Sequence, residues 1–570
     1  MPAIGLDLGA SKAVMAVLAG GEPRLIPNRE HSPLTPAALA LDPQGGLVWG
    51  HDALASGEGA LEMWLPRLGE AASLALGGLE YTPEELAALF FDCLRQEAEA
   101  HLGQALGRVV LATPLAFGQR QLALLRQAAH RAGLFVLSLV PSTLAAGLAY
   151  AWEHPTAEPH TMLVADFGAG SLGVALLRTF PGALTVLGQA GNRWLGGEDF
   201  TQAIVAHLLR RLQAERGLLL DETQAARRAL RRRLRRTAEA AKVALSTVEQ
   251  VRIALAPEDL GLKVGLDEVL RRNQFEGMAE PWLAQALETV ERALAEAGLS
   301  PEGVDAVLLA GAASRMPFWQ AELARRLRRA RFLRDFNPLT GTAMGAALWA
   351  ALVGQVRCPT CGVASPREAT ACPRCGSRLS GEARLACPRC FVPNRPEGLS
   401  CHKCGTSLRA ARQRAGAPLA RAWSGDEGLR CHRCGLVAPA GAGSCPHCGS
   451  VVAPFVGGLS RYDVGLEGDG GRMDVVLPRG RGLPTQPAWR VFASAEEGEL
   501  LEVPLYEGDK PVARRNERCG TLRVELPADG GSGCRVRVGF GFDADGLLEV
   551  RAEADDGSGH ALDAWLEWAP

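Results

Sequence analysis

The sequence predicts a multidomain chain: an α/β unit of two related lobes over 1–354, small metal modules over 355–455 and an antiparallel β-sandwich over 456–570. Three observations carry this. A weak internal repeat, IGLDLGASKAVMAVL from Ile4 and LVADFGAGSLGVALL from Leu163, lies where β-rich runs mix with long segments of 3.6-residue period. Twelve of the 15 cysteines fall between Cys358 and Cys448. From Leu459 onward, alternating runs such as RMDVVL, TLRVEL and CRVRVGFGF are separated by Gly/Asp turns.

Composition narrows the function classes. A length of 570 residues suits about four folding units at roughly 150 residues each. With 47% hydrophobic and 22% charged residues, the chain is neither disordered, collagen-like nor a membrane bundle. Its 61 basic and 63 acidic groups give a net charge of -2, so no bulk field draws it to nucleic acid or anionic lipid. The first twenty residues lack a basic start and carry Asp7 and Lys12 inside an apolar run, which does not read as a secretory signal. No apolar stretch reaches membrane-spanning length, and a cytoplasmic location is expected. Arginine dominates the basic residues, lysine occurring only at Lys12, Lys242, Lys263, Lys403 and Lys510.

Each copy of the repeat reads strand, aspartate, small turn with a hydroxyl, strand. Gly9, Ala10 and Ser11 in one turn and Gly168, Ala169, Gly170 and Ser171 in the other allow backbone N–H groups to approach phosphate oxygens closely. Asp7 and Asp166 at the strand ends suit a hydrated Mg²⁺, and Lys12 adds a point charge. The runs EELAALFFDCLRQEAEAHLG and RQLALLRQAAHRAGL predict long helices. A third small-residue turn, VLLAGAASRMP after Val307, converges on the same cleft. The arginine-laden segment around Arg231 reads as a solvated helix face in preference to a nucleic-acid patch.

Taken in order, DLGASKA, TPEELAALFFDCLRQEAEAHLG, RQLALLRQAAHRAGLFVL with AAGLAY, DFGAGS, LGGEDF, LLAGAASRMP and NP with AMGAAL resemble successive motifs of the DnaK-type heat-shock chaperone family over 1–354. The resemblance resumes over 459–570. It implies an actin-like fold with ATP or ADP and Mg²⁺ at the base of the cleft. It places Glu239, Lys242 and Ser246 against ribose and adenine, Arg315 against the base, Gly311, Ala312 and Ala313 in the adenosine turn, and Gly197 with Glu198 at the edge of the phosphates. Asp7, Lys12, Asp166 and Ser171 become the residues closest to the chemistry.

The departures concentrate where hydrolysis is assisted. Pro66, or at best nearby Arg67, stands where the family has a lysine; Ser142 and Thr143 stand at a coupling glutamate; Gly173 and Leu339 stand at two aspartates. Positioned charge supplies most of what a protein contributes to phosphoryl transfer. Nucleotide binding with at most slow turnover is therefore expected, Lys12 or Ser171 restoring part of what is missing.

Cys358, Cys361, Cys372 and Cys375 form C-x2-C-x10-C-x2-C, repeated at Cys387, Cys390, Cys401, Cys404 and at Cys431, Cys434, Cys445, Cys448. Two such knuckles per set place four thiolates around one Zn²⁺, which predicts three structural zinc ribbons, 358–375, 387–404 and 431–448. Over 355–455 the side chains sum to +9, and three tetrathiolate Zn²⁺ sites reduce this to +3. With few aromatic residues there, contact with a protein partner or a spacer role suits the ribbons better than nucleic acid.

The C-terminal strands resemble the family's peptide-clasping sandwich. By that resemblance Leu466, Phe492, Ala495, Leu501 and Val503 line a pocket for extended apolar segments of client polypeptides, with Asp469 where a large apolar residue is usual. The ribbons occupy the place of the family's short docked linker, and no helical lid follows in this sequence. The reading is an ATP-binding chaperone. The alternative is a nucleotide-sensing scaffold that neither turns over ATP nor refolds clients; a sugar or acetate kinase of the same superfamily fits less well, having no counterpart to the sandwich.

Overall fold

The computed structural model of the chain describes residues 3–353 and 456–568 apart from short internal stretches, the longest being 217–223, 494–499 and 527–534, and between 354 and 455 only six strand segments. The first lobe is built on β1 (Ala3–Leu8), β2 (Lys12–Ala19) and β3 (Glu22–Ile26), an antiparallel meander, with β4 (Arg108–Thr113) and β5 (Phe135–Pro141) added parallel to β1. The second lobe repeats this plan with β6 (His160–Phe167), β7 (Leu172–Phe180) and β8 (Ala183–Asn192), then β9 (Ala306–Ala310) and β10 (Arg331–Leu333) parallel to β6. The strand orders β5-β4-β1-β2-β3 and β10-β9-β6-β7-β8 are identical. The internal repeat of the sequence is therefore a repeat of whole lobes.

Parallel neighbours require crossovers, and helices supply them. Helix α1 (Pro83–Leu102) starts where Thr82 accepts the Glu85 N–H while the Glu85 carboxylate accepts the Thr82 N–H at 2.9 Å, with proline in the first turn, and ends at left-handed Gly103. Helix α2 (Gln119–Arg131) connects β4 to β5, and α3 (Ser142–Glu153) leaves β5. In the second lobe α4 (Gly197–Arg216), α5 (Gln224–Leu245) and α6 (Arg272–Ala297) precede β9, and α7 (Gly341–Val353) closes the unit. Helices α3 and α7 cross between the lobes through Ala145, Ala146 and Ala346, buried with Val110 and Val140 of one sheet and Val164 and Leu308 of the other. At Gly345 a Cβ would overlap the Ala145 carbonyl, so the crossing depends on a side chain of no size at all.

The sandwich contains β11 (Val464–Glu467), β12 (Met473–Leu477), β13 (Ala488–Ala493), β14 (Leu500–Glu507), β15 (Glu517–Glu525), β16 (Arg535–Phe542), β17 (Leu548–Ala554), β18 (Ala561–Leu562) and β19 (Ala564–Trp568). They form two antiparallel sheets, β12-β11-β14-β15-β19 and β13-β16-β17-β18, closed on a core that includes Val464, Leu505, Leu522, Val538 and Phe540. The alternation in the sequence reports this inward and outward facing.

Three short hairpins lie between the lobes and the sandwich: 355–357 with 364–366, 385–386 with 393–394, and 429–430 with 437–438. Their closing pairs, Arg357 with Ala364, Ala386 with Pro393 and Arg430 with Val437, each flank the first Cys-x-x-Cys of one set in the same register. After them, Val456–Gly457 pairs in parallel with β8, and Gln189 Nε2 donates to the Leu459 carbonyl at 2.9 Å. The expectation that ribbons replace a docked linker is thus corrected: a docked strand is present, C-terminal to the ribbons, because its backbone completes the free edge of β8. Among the described residues no helix is long and apolar enough to cross a membrane.

The sandwich sits on the first lobe through buried polar groups. Arg461 donates to the carbonyls of Pro114 at 3.0 Å and Phe117 at 3.2 Å and to the Thr113 hydroxyl at 2.9 Å; the Tyr462 hydroxyl donates to Ala116. The first amide of α2, Gln119 N–H, donates to Glu507 at 2.8 Å, while the Gln119 side chain donates to Gly546 and accepts from Leu548 N–H. Arg126 pairs with Asp545, whose other oxygen accepts from Ser138. Burial pushes Glu507 up to about 8, against the Gln119 amide that favours its charged form. Its Oε1 is buried with no partner among the described residues, which costs less in the neutral acid than in the carboxylate.

This gives a pH dependence with a definite sign. The docked carboxyl holds its proton to about pH 8 and a solvated one releases it near 4.5. Its contribution to docking is fully present below about pH 4.5, declines by roughly 1.4 kcal/mol per pH unit through the window up to 8, and is absent above it. Hydrogen exchange at the amides of α2 should show progressively faster opening across that window, and Glu507→Gln should flatten the profile. A profile equally steep in the variant would assign the dependence to another group.

Candidate functional site

The two repeat turns face one another across the cleft. In each, glycine closes the turn with its own amide: Gly9 N–H donates to the Lys12 carbonyl at 2.9 Å and Gly168 N–H to the Ser171 carbonyl at 3.0 Å. A Cβ at Gly170 would lie 2.7 Å from Pro66 Cγ and 3.0 Å from Ala10 Cβ, so the turns approach as closely as backbone allows. Gly9 and Gly168 thereby differ from the sequence expectation, since their amides belong to the turns and are not spare donors.

Asp7 and Asp166, at the ends of the central strands β1 and β6, are drawn together by this symmetry. Burial, and then the Asp166 charge, push Asp7 up to about 8. Burial also raises Asp166, partly offset by the Ser142 hydroxyl beside it. Two partly buried carboxyls that face one another resist ionising together, and a hard divalent ion relieves both the repulsion and the lost solvation. The donor set fits Mg²⁺.

The third turn completes the base of the cleft. Gly311 has φ +77°, and a Cβ there would overlap the Phe167 carbonyl and stand 2.8 Å from Asp166 Oδ1, so the position requires glycine. Its amide donates to the Pro338 carbonyl at 2.8 Å. Asp7, Gly9 to Lys12, Pro66, Ser142, Asp166, Gly168 to Ser171, Gly311 and Ala312 together border a cavity of about 110 Å³.

The residues expected around adenosine lie on the adjoining face of the second lobe. Gly197 N–H donates to the Gly168 carbonyl, and a Cβ on Gly197 would be 3.2 Å from Lys242 Nζ and 3.4 Å from Ala313 Cβ, which joins α4, α5 and the third turn at one point. Lys242 is buried and spends its donors on the Gly197 carbonyl at 2.8 Å, the Thr201 hydroxyl at 2.9 Å and Glu239 at 2.6 Å. Burial works to raise Glu239, but Lys242 and Thr201 outweigh it and hold the carboxyl below its ordinary value. Ser246 donates back to the Lys242 carbonyl, and Arg315 is exposed at the end of its turn. Glu198 does not border the cavity: it accepts from Arg235 at 2.8 Å, and Arg235 also donates to Glu62 of the first lobe at 2.9 Å. The arginine-rich helix is thus only partly a solvated face, since Arg235 and Arg236 reach across the cleft to Glu62.

At the positions of departure, Pro66 borders the cavity, whereas Arg67 turns to Glu70 at 2.9 Å and does not. Arg67 is therefore no substitute for a lysine. The Thr143 hydroxyl is buried without a partner among the described residues. A Cβ at Gly173 would already stand 3.0 Å from Leu115 Cβ and 3.3 Å from Thr143 Cγ2, so any side chain there requires these neighbours to give way. One cation at the cavity escaped the sequence reading, Arg193. It sits two residues before the LGGEDF motif, and lobe symmetry gave no signal for it.

In the sandwich, Leu466 belongs to the buried core, while Phe492, Leu501 and Val503 are half-buried against it, Phe492 meeting Phe540 edge-on at 6.4 Å. Asp469 is exposed in a short turn after β11. Ala495 lies outside the described residues, as do all twelve cysteines of the ribbon sets.

Comparison with known proteins accords with this geometry. The model of the Hsp70 protein family matches residues 69–359, just over half of the chain. The double zinc ribbon model matches residues 358–405 and again 387–449, and so spans all three cysteine sets. The chaperone proteins DnaK of Thermotoga neapolitana and Thermotoga maritima are each 26% identical over 575 residues, covering 98% of this chain and 78% of theirs.

Proposed function

Because the chain belongs to the Hsp70 family, and is in that sense an ATP-binding chaperone that uses ATP or ADP with Mg²⁺, we propose that its sandwich holds extended apolar segments of client polypeptides while its cleft binds Mg·ATP with slow turnover. The observation that carries the nucleotide half is the pair of facing turns with Asp7 and Asp166, both half-buried and both bordering the cavity, at the strand ends before them. Asp7 and Asp166 would hold Mg²⁺, which would supply positive charge beside the phosphates. The amides of Ala10, Ser11, Ala169 and Gly170 are the donors left for phosphate oxygens, since Gly9 and Gly168 close the turns. Lys12 adds a point charge from the mouth of the cavity, and Ser171 is placed to orient a water. Glu239, Lys242, Ser246 and Arg315 then serve the nucleoside, Lys242 exchanging one of its present protein partners for it.

Client binding is supported by the half-buried apolar positions Phe492 on β13 of one sheet and Leu501 and Val503 on β14 of the other. An extended segment laid there gains main-chain hydrogen bonds plus one apolar pocket, which gives modest affinity, and the exposed Asp469 biases against acidic ligands. Fluorescence anisotropy with a labelled apolar heptapeptide should show Leu501→Asp binding at least about tenfold more weakly than wild type, with circular dichroism confirming that the variant sandwich is folded. Equal binding by the two proteins would remove the pocket from these residues and favour the nucleotide-sensing scaffold.

A further inference from the structure

We propose that Arg193 is the cation that contacts the terminal phosphate of a bound nucleoside triphosphate, and that its link to Glu517 ties that contact to the seat of the sandwich. The inference rests on the nucleotide reading of the cleft given above.

Arg193 follows β8, and its side chain is only 12% exposed. From the second lobe it reaches across to the first, where Nη2 donates to the Leu68 carbonyl at 3.0 Å and the Pro66 carbonyl at 3.4 Å. Nη1 points to the sandwich and meets Glu517 at 3.4 Å. Nε is buried with no partner among the described residues, and the guanidinium lies over the Trp194 ring at 4.7 Å. One side chain therefore touches both lobes and the sandwich while bordering the phosphate cavity.

Two of these contacts, at 3.4 Å, are long for a charged donor, and Nε is unused, so the guanidinium is incompletely satisfied where it stands. Its carboxylate partner is shared as well, because Gln121 donates to the same Glu517 oxygen at 2.9 Å. A planar guanidinium matches two phosphate oxygens at once, which an ammonium cannot do. Its position picks out which phosphate. The nucleoside residues converge on Gly197 and Ala313, whereas Arg193 stands at Pro66, which packs against Gly170. A phosphate chain running from the first point through the facing turns reaches Arg193 last. The family's lysine is missing at Pro66, and Arg193 brings a charge to the same place from the opposite lobe.

The phosphate and Glu517 compete for one guanidinium. Adding a terminal phosphate consequently weakens one tie between cleft and sandwich, and removing that tie strengthens the hold on phosphate.

Calorimetry on the full chain with Mg·ATP and Mg·ADP tests this. Arg193→Ala should lose at least about tenfold in ATP affinity and less than about twofold in ADP affinity. Arg193→Lys should lie between the two proteins, and it carries the test should the alanine variant not fold. Glu517→Gln should raise ATP affinity relative to ADP. Equal losses of ATP and ADP in Arg193→Ala, or an unchanged ratio in all variants, would overturn the assignment while leaving the nucleotide site in place. Wild type that binds neither nucleotide would overturn the site itself.

Discussion

Chelation is expected to release three Zn²⁺ per chain and to unfold the segment 355–455 while the two flanking units stay folded. Small metal modules have little core of their own, and binding of about 10–16 kcal/mol per structural Zn²⁺ is in effect their folding energy. The double zinc ribbon match and three hairpins in one register around the first cysteine pair of each set support three equivalent sites. The lobes and the sandwich draw their stability from apolar cores to which the ribbon segment contributes no described residue, the first-lobe core also taking in Leu547 of the sandwich. Their mutual contact runs through Arg461, Gln119 and Glu507, which involves no cysteine. Elemental analysis of metal-replete protein should give about three zincs, and hydrogen exchange after chelation should show loss of protection confined to the ribbons. Fewer than about two zincs, or unfolding of the whole chain, would contradict this.

The second large effect concerns turnover. Single-turnover assays should show phosphate release far slower than nucleotide exchange, while calorimetry shows Mg·ATP binding that Asp7→Ala abolishes or nearly so. On the proposed reading the ground-state contacts are in place, Arg193 on the terminal phosphate among them, but the family's assisting groups at Pro66, Ser142 and Gly173 are not. Each missing donor or charge costs roughly 2.7–4 kcal/mol of barrier, about a hundredfold or more in rate. Restoring them singly should recover little. Pro66→Lys would introduce its ammonium against Arg193, which already donates to the Pro66 carbonyl, and Gly173→Asp would crowd Leu115 and Thr143. The cleft has been packed for the residues it now has. Brisk turnover by wild type would contradict the prediction and make Lys12 or Arg193 the effective replacement.

What could be read from the sequence was local and periodic. The Asp7 and Asp166 turns, the cysteine sets and the alternating strands after Leu459 each state their chemistry within a dozen or so residues, because turn geometry, thiolate spacing and strand facing are decided by near neighbours. The repeat announced two related lobes, and the structure gives them one strand order. What only the tertiary structure decided lies in pairings of residues far apart in the chain. Gln119 with Glu507, Arg193 with Glu517, Arg235 with Glu62 and β8 with Val456–Gly457 join groups that no sequence period relates. Whether Arg67 or Arg193 faces the phosphates depends on which carboxylate stands nearest each guanidinium, Glu70 for one and Glu517 for the other. An arginine side chain is long enough to choose among several partners, and packing settles that choice by fixing which of them lose water together with it.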